Sequence, residues 1–211
     1  MLRKDYCLSM EFWKHAQEEE ASFWGNCVNT LGEELKQTTY ANYMGLEFSH
    51  DGNTPFNLEM HGKSVIDIGG GPVSLLLKVK NSSRKVVVDP MNMPNWVLKR
   101  YTTAEIEFYN LPGEIINEGI GSIFDEVWIY NCLQHAQDPK KIIDNAKKLG
   151  KKLRIFEWVE SPTNDAHPHT LKKLDLDRWI GQQGQIWELN GENGCFGLAY
   201  VGAFDIENSI K

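Results

Sequence analysis

The sequence predicts an α/β protein built on a doubly wound, mostly parallel sheet. Three observations carry that expectation. Strands and helices alternate five times from residue 63 onward, the first strand breaks into three consecutive glycines, and the chain closes on two strands too near each other for a crossover helix. With the closing hairpin the sheet has seven strands, one of them reversed, and helices on both faces.

The elements follow in order. Residues 11–36 carry a helical pattern, with Cys27, Leu31 and Leu35 recurring every fourth residue beside Val28, and with Phe12, Ala16 and Phe23 on one face of the earlier turns. Residues 42–62 are rich in Gly, Asn, Asp and Pro and read as a loop. The strand Ser64–Ile68 leads to a helix over residues 72–80, and a strand over 85–89 to a helix over 94–101. A strand over 104–109 passes through a turn or short helix ending at Ile116. The strand Phe124–Tyr130 precedes a helix capped by Asp138, opened by Pro139 and carrying Ile142, Ile143, Ala146 and Leu149 on one side. A strand over 153–158 precedes a helix over 170–180, and strands over 185–189 and 195–204 form the hairpin. The expected organisation is a helical lid over residues 1–45 and one compact unit over residues 46–211.

Composition narrows the classes. At 211 residues the chain fits one domain with a substantial core. Its 22 basic and 29 acidic residues give a net charge of −7 with no basic block, which disfavours a nucleic-acid partner. The four cysteines, Cys7, Cys27, Cys132 and Cys195, form no CxxC pair and suit a reducing compartment. No apolar run approaches the ~18 residues of a membrane span, and the N-terminal stretch lacks the apolar region of a signal peptide. The expectation is a soluble cytoplasmic protein.

The stretch VIDIGGGPVSL, residues 65–75, is the most informative. A buried strand ends in Asp67, and Gly69, Gly70 and Gly71 let backbone approach a ligand before a helix expected near Pro72, whose first N–H groups favour an anion. Polar residues then recur at successive strand ends: Asp67, Asp89, Asn110, Asn131 and Glu157. Ligands of such sheets sit beyond those ends. A dinucleotide fingerprint would place glycine at Ser74, and it would put Asp67 beside a pyrophosphate; Asp67 suits a cationic ammonium or sulfonium better. The bland alternatives are a bare tight turn at the glycines, a solvated acid at Asp89 and a strand cap at Asn131.

At these residues the chain resembles the class I S-adenosylmethionine-dependent methyltransferases, over roughly residues 40–204. Asp67-Ile68-Gly69-Gly70-Gly71 is similar to the family's first motif, D/E-x-G-x-G, although Val73 stands where many members have a third glycine. Val86-Val87-Val88-Asp89 is similar to the second, whose acid takes the ribose hydroxyls. The resemblance implies a Rossmann-like fold and S-adenosylmethionine as cofactor. It also places Pro90 and Met91 against the adenine and Asn110 and Leu111 on its other face. The run from Asp125 to His135 is similar to the fourth motif and adds Asn131 and Cys132 to the cofactor site.

Methyl transfer from a sulfonium needs mainly positioning of the acceptor and exclusion of water, plus a base where a hydroxyl must lose its proton. His135, His167 and His169 are the candidate bases, with packing or solvent exposure as their alternatives. Relatives with a similar fourth motif carry the metal-binding E-x-x-E-H; here Asn131 and Gln134 replace both carboxylates, and no metal is expected. The motif is not the D/N-P-P-Y/F type that grips planar amino groups. Aromatics at Phe12, Trp13, Phe23, Trp24, Tyr40 and Tyr43 would either cover the pocket or pack the helices. The reading is in-line methylation of a small-molecule acceptor, by exclusion an oxygen atom. A non-catalytic cofactor-binding subunit, a nucleic-acid methyltransferase and an NAD-dependent oxidoreductase are the alternatives.

Overall fold

The computed structural model describes residues 7–49, 57–116, 120–121 and 123–206. The terminal bounds expected for the lid and the main unit, and residues 50–56 of the expected loop, lie outside the described residues.

The chain opens with two helices, α1 (Met10–Trp24) and α2 (Leu31–Tyr43), where the sequence pattern suggested one. Gly25, at φ +51°, ends α1 and donates its N–H to the Ala21 carbonyl. The break changes the register: Val28, Leu31 and Leu35 are exposed, while α2 buries Gln37, Tyr40 and Ala41. The expected loop region holds the end of α2 and two short strands, β1 (Phe48–Ser49) and β2 (Asn57–Glu59).

Next come β3 (Ser64–Ile68), β4 (Val79–Lys80), β5 (Arg84–Val88), α3 (Asn95–Thr103), β6 (Ile106–Tyr109) and β7 (Phe124–Tyr130). The last third contains α4 (Pro139–Leu149), β8 (Gly150–Val159), α5 (Lys173–Ile180), β9 (Gln185–Asn190) and β10 (Phe196–Asp205). Asp138 caps α4, its side chain accepting from the Lys141 N–H, and Pro139 occupies the first turn.

The main sheet has seven strands in the order β6-β5-β3-β7-β8-β10-β9. The pairs β5–β6, β3–β5, β3–β7 and β7–β8 are parallel, and β10 runs antiparallel to both neighbours. The chain reverses its direction of winding at β3, so the crevice beyond the ends of β3 and β7 is the position where such sheets bind ligands. Register aligns the site: Ile68 pairs with Val88 and with Ile129, bringing Gly69, Asp89 and Asn131 to one edge.

Alternation divides the core. Ile66, Val127 and Ile129 face α4 and α5 through Ile142, Ile143, Ala146, Leu176 and Ile180. Val65, Val87, Trp128 and Phe156 face α2 and α3 through Tyr40, Ala41, Val97 and Tyr101. Each fully buried aliphatic side chain contributes about 1.5–3 kcal/mol. Arg154 fixes α2 to the sheet: its Nε meets the buried Glu126 Oε2 at 2.7 Å and its Nη1 donates to the Met44 carbonyl at 2.7 Å.

The helix expected over residues 72–80 is absent. Two single 3-10 turns, Gly71–Val73 and Leu75–Lys78, fill the span, separated by Ser74 at φ −40°, ψ 140°. The Ser74 hydroxyl takes the Leu76 N–H at 3.1 Å, offering the backbone an alternative to a helical bond. Leu75 and Leu76 are buried, and the chain leaves directly into β4. No α-helix therefore begins directly after the glycines.

Candidate functional site

The glycine turn is held from behind. Gly69 adopts φ +79°, and a Cβ there would stand 2.5 Å from Cys132 Cβ, so the turn and the close approach both require glycine. Asp67 is fully buried, and its Oδ2 accepts from the Ser74 and Tyr130 hydroxyls. The Tyr130 hydroxyl in turn receives the Leu75 N–H at 3.0 Å. Asp67 lies behind the cavity wall and does not line it; its Oδ2 braces the loop through Ser74 and Tyr130, and its buried Oδ1 has no partner.

Asp89 does face the cavity. Its Oδ2 accepts from Gly71 N at 2.9 Å and its Oδ1 from Met91 N at 2.8 Å, which ties the two loops together and leaves lone pairs for a ligand. Pro90 and Met91 line the same wall. Asn110 and Leu111 do not. Asn110 is exposed and braces the Asp89 loop from outside, donating to the carbonyls of Asp89 (3.2 Å) and Met91 (2.8 Å), while Leu111 packs against the core. The chain after β6 reaches the cavity at Pro112, Gly113 and Glu114 instead, and this wall had no mark in the sequence.

Asn131 and Cys132 line the cavity as expected. Asn131 takes φ +50°, a conformation its short amide tolerates, and its Oδ1 receives Gln134 Nε2 at 3.1 Å. Cys132 N and Leu133 N donate to Glu157 Oε1 at 3.0 and 3.1 Å. Glu157 is fully buried, and its Oε2 has no partner. Among the described residues, no group of three or more His, Cys, Asp and Glu side chains is arranged to hold a metal ion.

The three histidines separate. His135 lines the cavity; its Nδ1 donates to the Ala166 carbonyl at 2.8 Å, which leaves Nε2 unprotonated. Burial pushes its pKa down to about 4, so the ring is neutral at pH 7 and its 3.4 Å approach to Glu20 Oε2 is not an ion pair. His167 stacks edge-on against it with ring centroids 4.5 Å apart and lines a neighbouring chamber. His169 is buried and lines neither chamber, and its Nε2 is tied to the Ala136 carbonyl at 2.9 Å. This places His169 away from both chambers, with its ring joining the loop after β8 to the turn before α4.

Two chambers adjoin at this edge. The inner one, about 860 Å³ with its mouth, lies between the glycine and Asp89 loops and helices α1 and α2. The outer one, about 1030 Å³ with its mouth, is bounded by Phe23, Lys36, Trp158, Ser161, His167 and Phe196. Of the expected covering aromatics, Trp13, Trp24 and Tyr40 line the inner chamber and Phe23 the outer. Phe12 is exposed elsewhere, and Tyr43 packs on Phe156 and Trp187. Glu20, Glu33, Asp89 and Glu114 line the inner chamber, and among the described residues no Lys or Arg does. Sequence reading missed Glu20 because Glu18-Glu19-Glu20 looks like a solvated run, and it missed Trp158 and Phe196 because aromatics in strands read as core.

Three buried acids make the fold sensitive to pH. Burial raises Asp89 to about 6, Asp67 to about 7 and Glu157 to about 8. Between the ordinary carboxylate range near pH 4 and these values, the folded state binds more protons than the unfolded one. Their contribution to stability is therefore complete below about pH 4 and is lost progressively above it, ending near pH 6 for Asp89, 7 for Asp67 and 8 for Glu157, so that Asp67 and Glu157 carry the decline above pH 6. The denaturant midpoint is expected to fall between pH 6 and pH 8.5, and Glu157→Gln to flatten the upper part of that decline. A midpoint that rises over this interval would refute the assignment.

No family model matches the chain, and no curated protein matches it. Solved structures do. The N-methyltransferase NodS from Bradyrhizobium japonicum, in complex with S-adenosylhomocysteine, aligns with a TM-score of 0.60 at 12% identity, covering 93% of this chain and 99% of its own. The 1,6-didemethyltoxoflavin-N1-methyltransferase of Burkholderia thailandensis, with bound 1,6-didemethyltoxoflavin and S-adenosylhomocysteine, gives 0.62 at 14% identity over 96% of this chain and 90% of its own. The magnesium protoporphyrin IX methyltransferase of Synechocystis, with bound S-adenosylmethionine, gives 0.56 at 16% over 95% and 93%. The strand order, the reversed strand β10 and these alignments agree: the chain has the fold of the class I S-adenosylmethionine-dependent methyltransferases.

Proposed function

We propose that this chain is an S-adenosylmethionine-dependent methyltransferase acting on a small acceptor by in-line transfer. The observation that carries the reading is the wall of the inner chamber: a glycine turn and the Asp89 carboxylate, with further carboxylates from Glu20, Glu33 and Glu114 and, among the described residues, no Lys or Arg. A dinucleotide would bring a pyrophosphate into that wall without a cation to meet it, whereas a sulfonium nucleoside brings positive charge. Gly69, Gly70 and Gly71 would hold the amino-acid portion, Asp89 the ribose hydroxyls, and Pro90 and Met91 the base. The bound cofactor supplies a methyl group activated by a sulfonium leaving group.

The chain's own residues do the rest. Helices α1 and α2 serve as the lid, excluding water through Trp13, Trp24 and Tyr40. The outer chamber is of a size for a small molecule. For an oxygen acceptor, the atom expected from the sequence, His135 is the base. Its Nδ1–H is committed to Ala166, so Nε2 is held ready to receive the hydroxyl proton. His167 packs on that ring and orients it. The carboxylates of Glu20 and Glu33 favour a second reading, nitrogen as acceptor, because the product then keeps its positive charge beside them. The free cysteines are consistent with a reducing, cytoplasmic setting.

His135→Ala is expected to lower kcat by about 100-fold and to leave the affinity for S-adenosylhomocysteine unchanged. The wild-type kcat profile should stay flat above pH 5 and fall toward the His135 value of about 4. Radiolabelled methyl transfer measures both. A His135→Ala enzyme with unchanged kcat would remove the histidine from the mechanism.

A further inference from the structure

We infer that the junction between the two chambers receives a positively charged nitrogen, so that the acceptor is a small amine bound as its ammonium; this rests on the methyltransferase reading above. For transfer the ammonium gives up one proton to water, the freed nitrogen lone pair bonds the methyl carbon as the carbon–sulfur bond breaks, and S-adenosylhomocysteine leaves while the product nitrogen carries the positive charge. Six residues line both chambers, Glu20, Trp24, Glu33, Tyr40, Asn131 and His135, and a group passing from one chamber to the other passes among them. They supply two carboxylates and two aromatic rings. Glu33 is already paired with Lys36 at 2.7 Å. Glu20 differs: its Oε1 accepts from the Trp24 indole N–H at 2.7 Å, and its Oε2 faces the neutral His135 ring. It is a partly buried carboxylate with no Lys or Arg paired to it among the described residues; His167 is the one titratable base that acts on it, and burial lowers the pKa of that ring, so a ligand's positive charge would relieve the carboxylate.

A second observation points the same way. Gln37 lines the inner chamber, is 6% exposed, and its Oε1 has no hydrogen-bond donor. It lies one helical turn beyond Glu33 on α2 and one residue-triplet before Tyr40, on the face turned to the site. An unpaired buried acceptor beside a carboxylate asks for a donor-rich, positively charged partner. Trp24 and Tyr40 add ring faces that attract ammonium groups, and Trp158 and Phe196 continue the aromatic lining outward. A phosphate or carboxylate on the acceptor would find one basic side chain in the outer chamber, Lys36, already engaged by Glu33.

The test uses the full chain saturated with S-adenosylhomocysteine and titrated at pH 7 with benzylammonium or benzyl alcohol, followed by tryptophan fluorescence. Benzylammonium should bind about tenfold more tightly than the alcohol. That preference should vanish in Glu20→Gln, which keeps an oxygen for the Trp24 indole, and shrink in Gln37→Met. Equal binding of the two probes, tighter binding of the alcohol, or no binding of either overturns the inference. So does a Glu20→Gln protein that keeps the preference but loses affinity for S-adenosylhomocysteine, since Glu20 would then serve the cofactor. If S-adenosylhomocysteine itself fails to bind the wild-type chain, the methyltransferase reading falls first, a result distinct from these.

Discussion

Replacing Asp89 with alanine is expected to weaken binding of S-adenosylhomocysteine by about 100-fold. Hydrogen bonds to a charged partner contribute about 1.5–3 kcal/mol each, and each 1.4 kcal/mol is a factor of ten in affinity. Asp89 would offer such bonds to a ribose diol while its two oxygens also hold the N–H groups of Gly71 and Met91. The variant therefore loses ligand contacts and the tie between the two loops together. Asp89→Asn keeps the shape and one acceptor oxygen, and should fall between the two. Calorimetric titration measures the affinities, and circular dichroism reports whether the fold survives. An Asp89→Ala protein with wild-type affinity would take the carboxylate out of the site.

Gly69→Ala is expected to destabilise the protein by about 3 kcal/mol, combining a left-handed backbone conformation for a residue with a Cβ, about 1–2 kcal/mol, with overpacking of about 1–3 kcal/mol. The Cβ would lie 2.5 Å from Cys132 Cβ and 2.7 Å from its Sγ. Cys132→Gly in the same chain removes the clash and not the backbone strain, so the double variant should recover about half of the loss. Chemical denaturation gives both values. A Gly69→Ala protein as stable as wild type would show that the turn can open without cost and is not the rigid cradle described here.

How much of this was legible follows from the kind of signal each residue carries. In the strand Phe124–Tyr130 the apolar run Val127-Trp128-Ile129-Tyr130 follows Asp125 and Glu126, and β-branched and aromatic residues in succession read as a buried strand without the structure. Asp138-Pro139 marks a helix start by local chemistry alone, and the structure places α4 there. The turn after Gly71 misled because Leu75-Leu76-Leu77 has helical propensity, whereas Ser74 bonds its own backbone and the chain is needed for β4. Asp67 and Asp89 looked alike as acids at strand ends. Only packing distinguishes them: Ser74 and Tyr130 enclose the first, and the second faces the cavity.

The acceptor side was least legible for a related reason. Glu20, Gln37, Trp158 and Phe196 come from two helices and two strands far apart in the chain, and none sits in a motif. Their meeting depends on how α1 and α2 lie across the sheet. The Arg154–Met44 bond and the packing of Tyr40 on Phe156, 4.3 Å between ring centroids, set the position of α2. Asn110 shows the converse. Its place after β6 is as expected, yet its side chain turns outward to brace the Asp89 loop.

The most direct test of the central claim is calorimetric titration of the wild-type chain with S-adenosylhomocysteine, with NAD as the comparison. The chamber lined by Gly69, Gly70, Gly71 and Asp89, with no Lys or Arg among its described lining residues, predicts saturable one-to-one binding of the sulfur nucleoside and no heat from NAD. Binding of NAD without S-adenosylhomocysteine would contradict it and return the glycine turn to dinucleotide recognition.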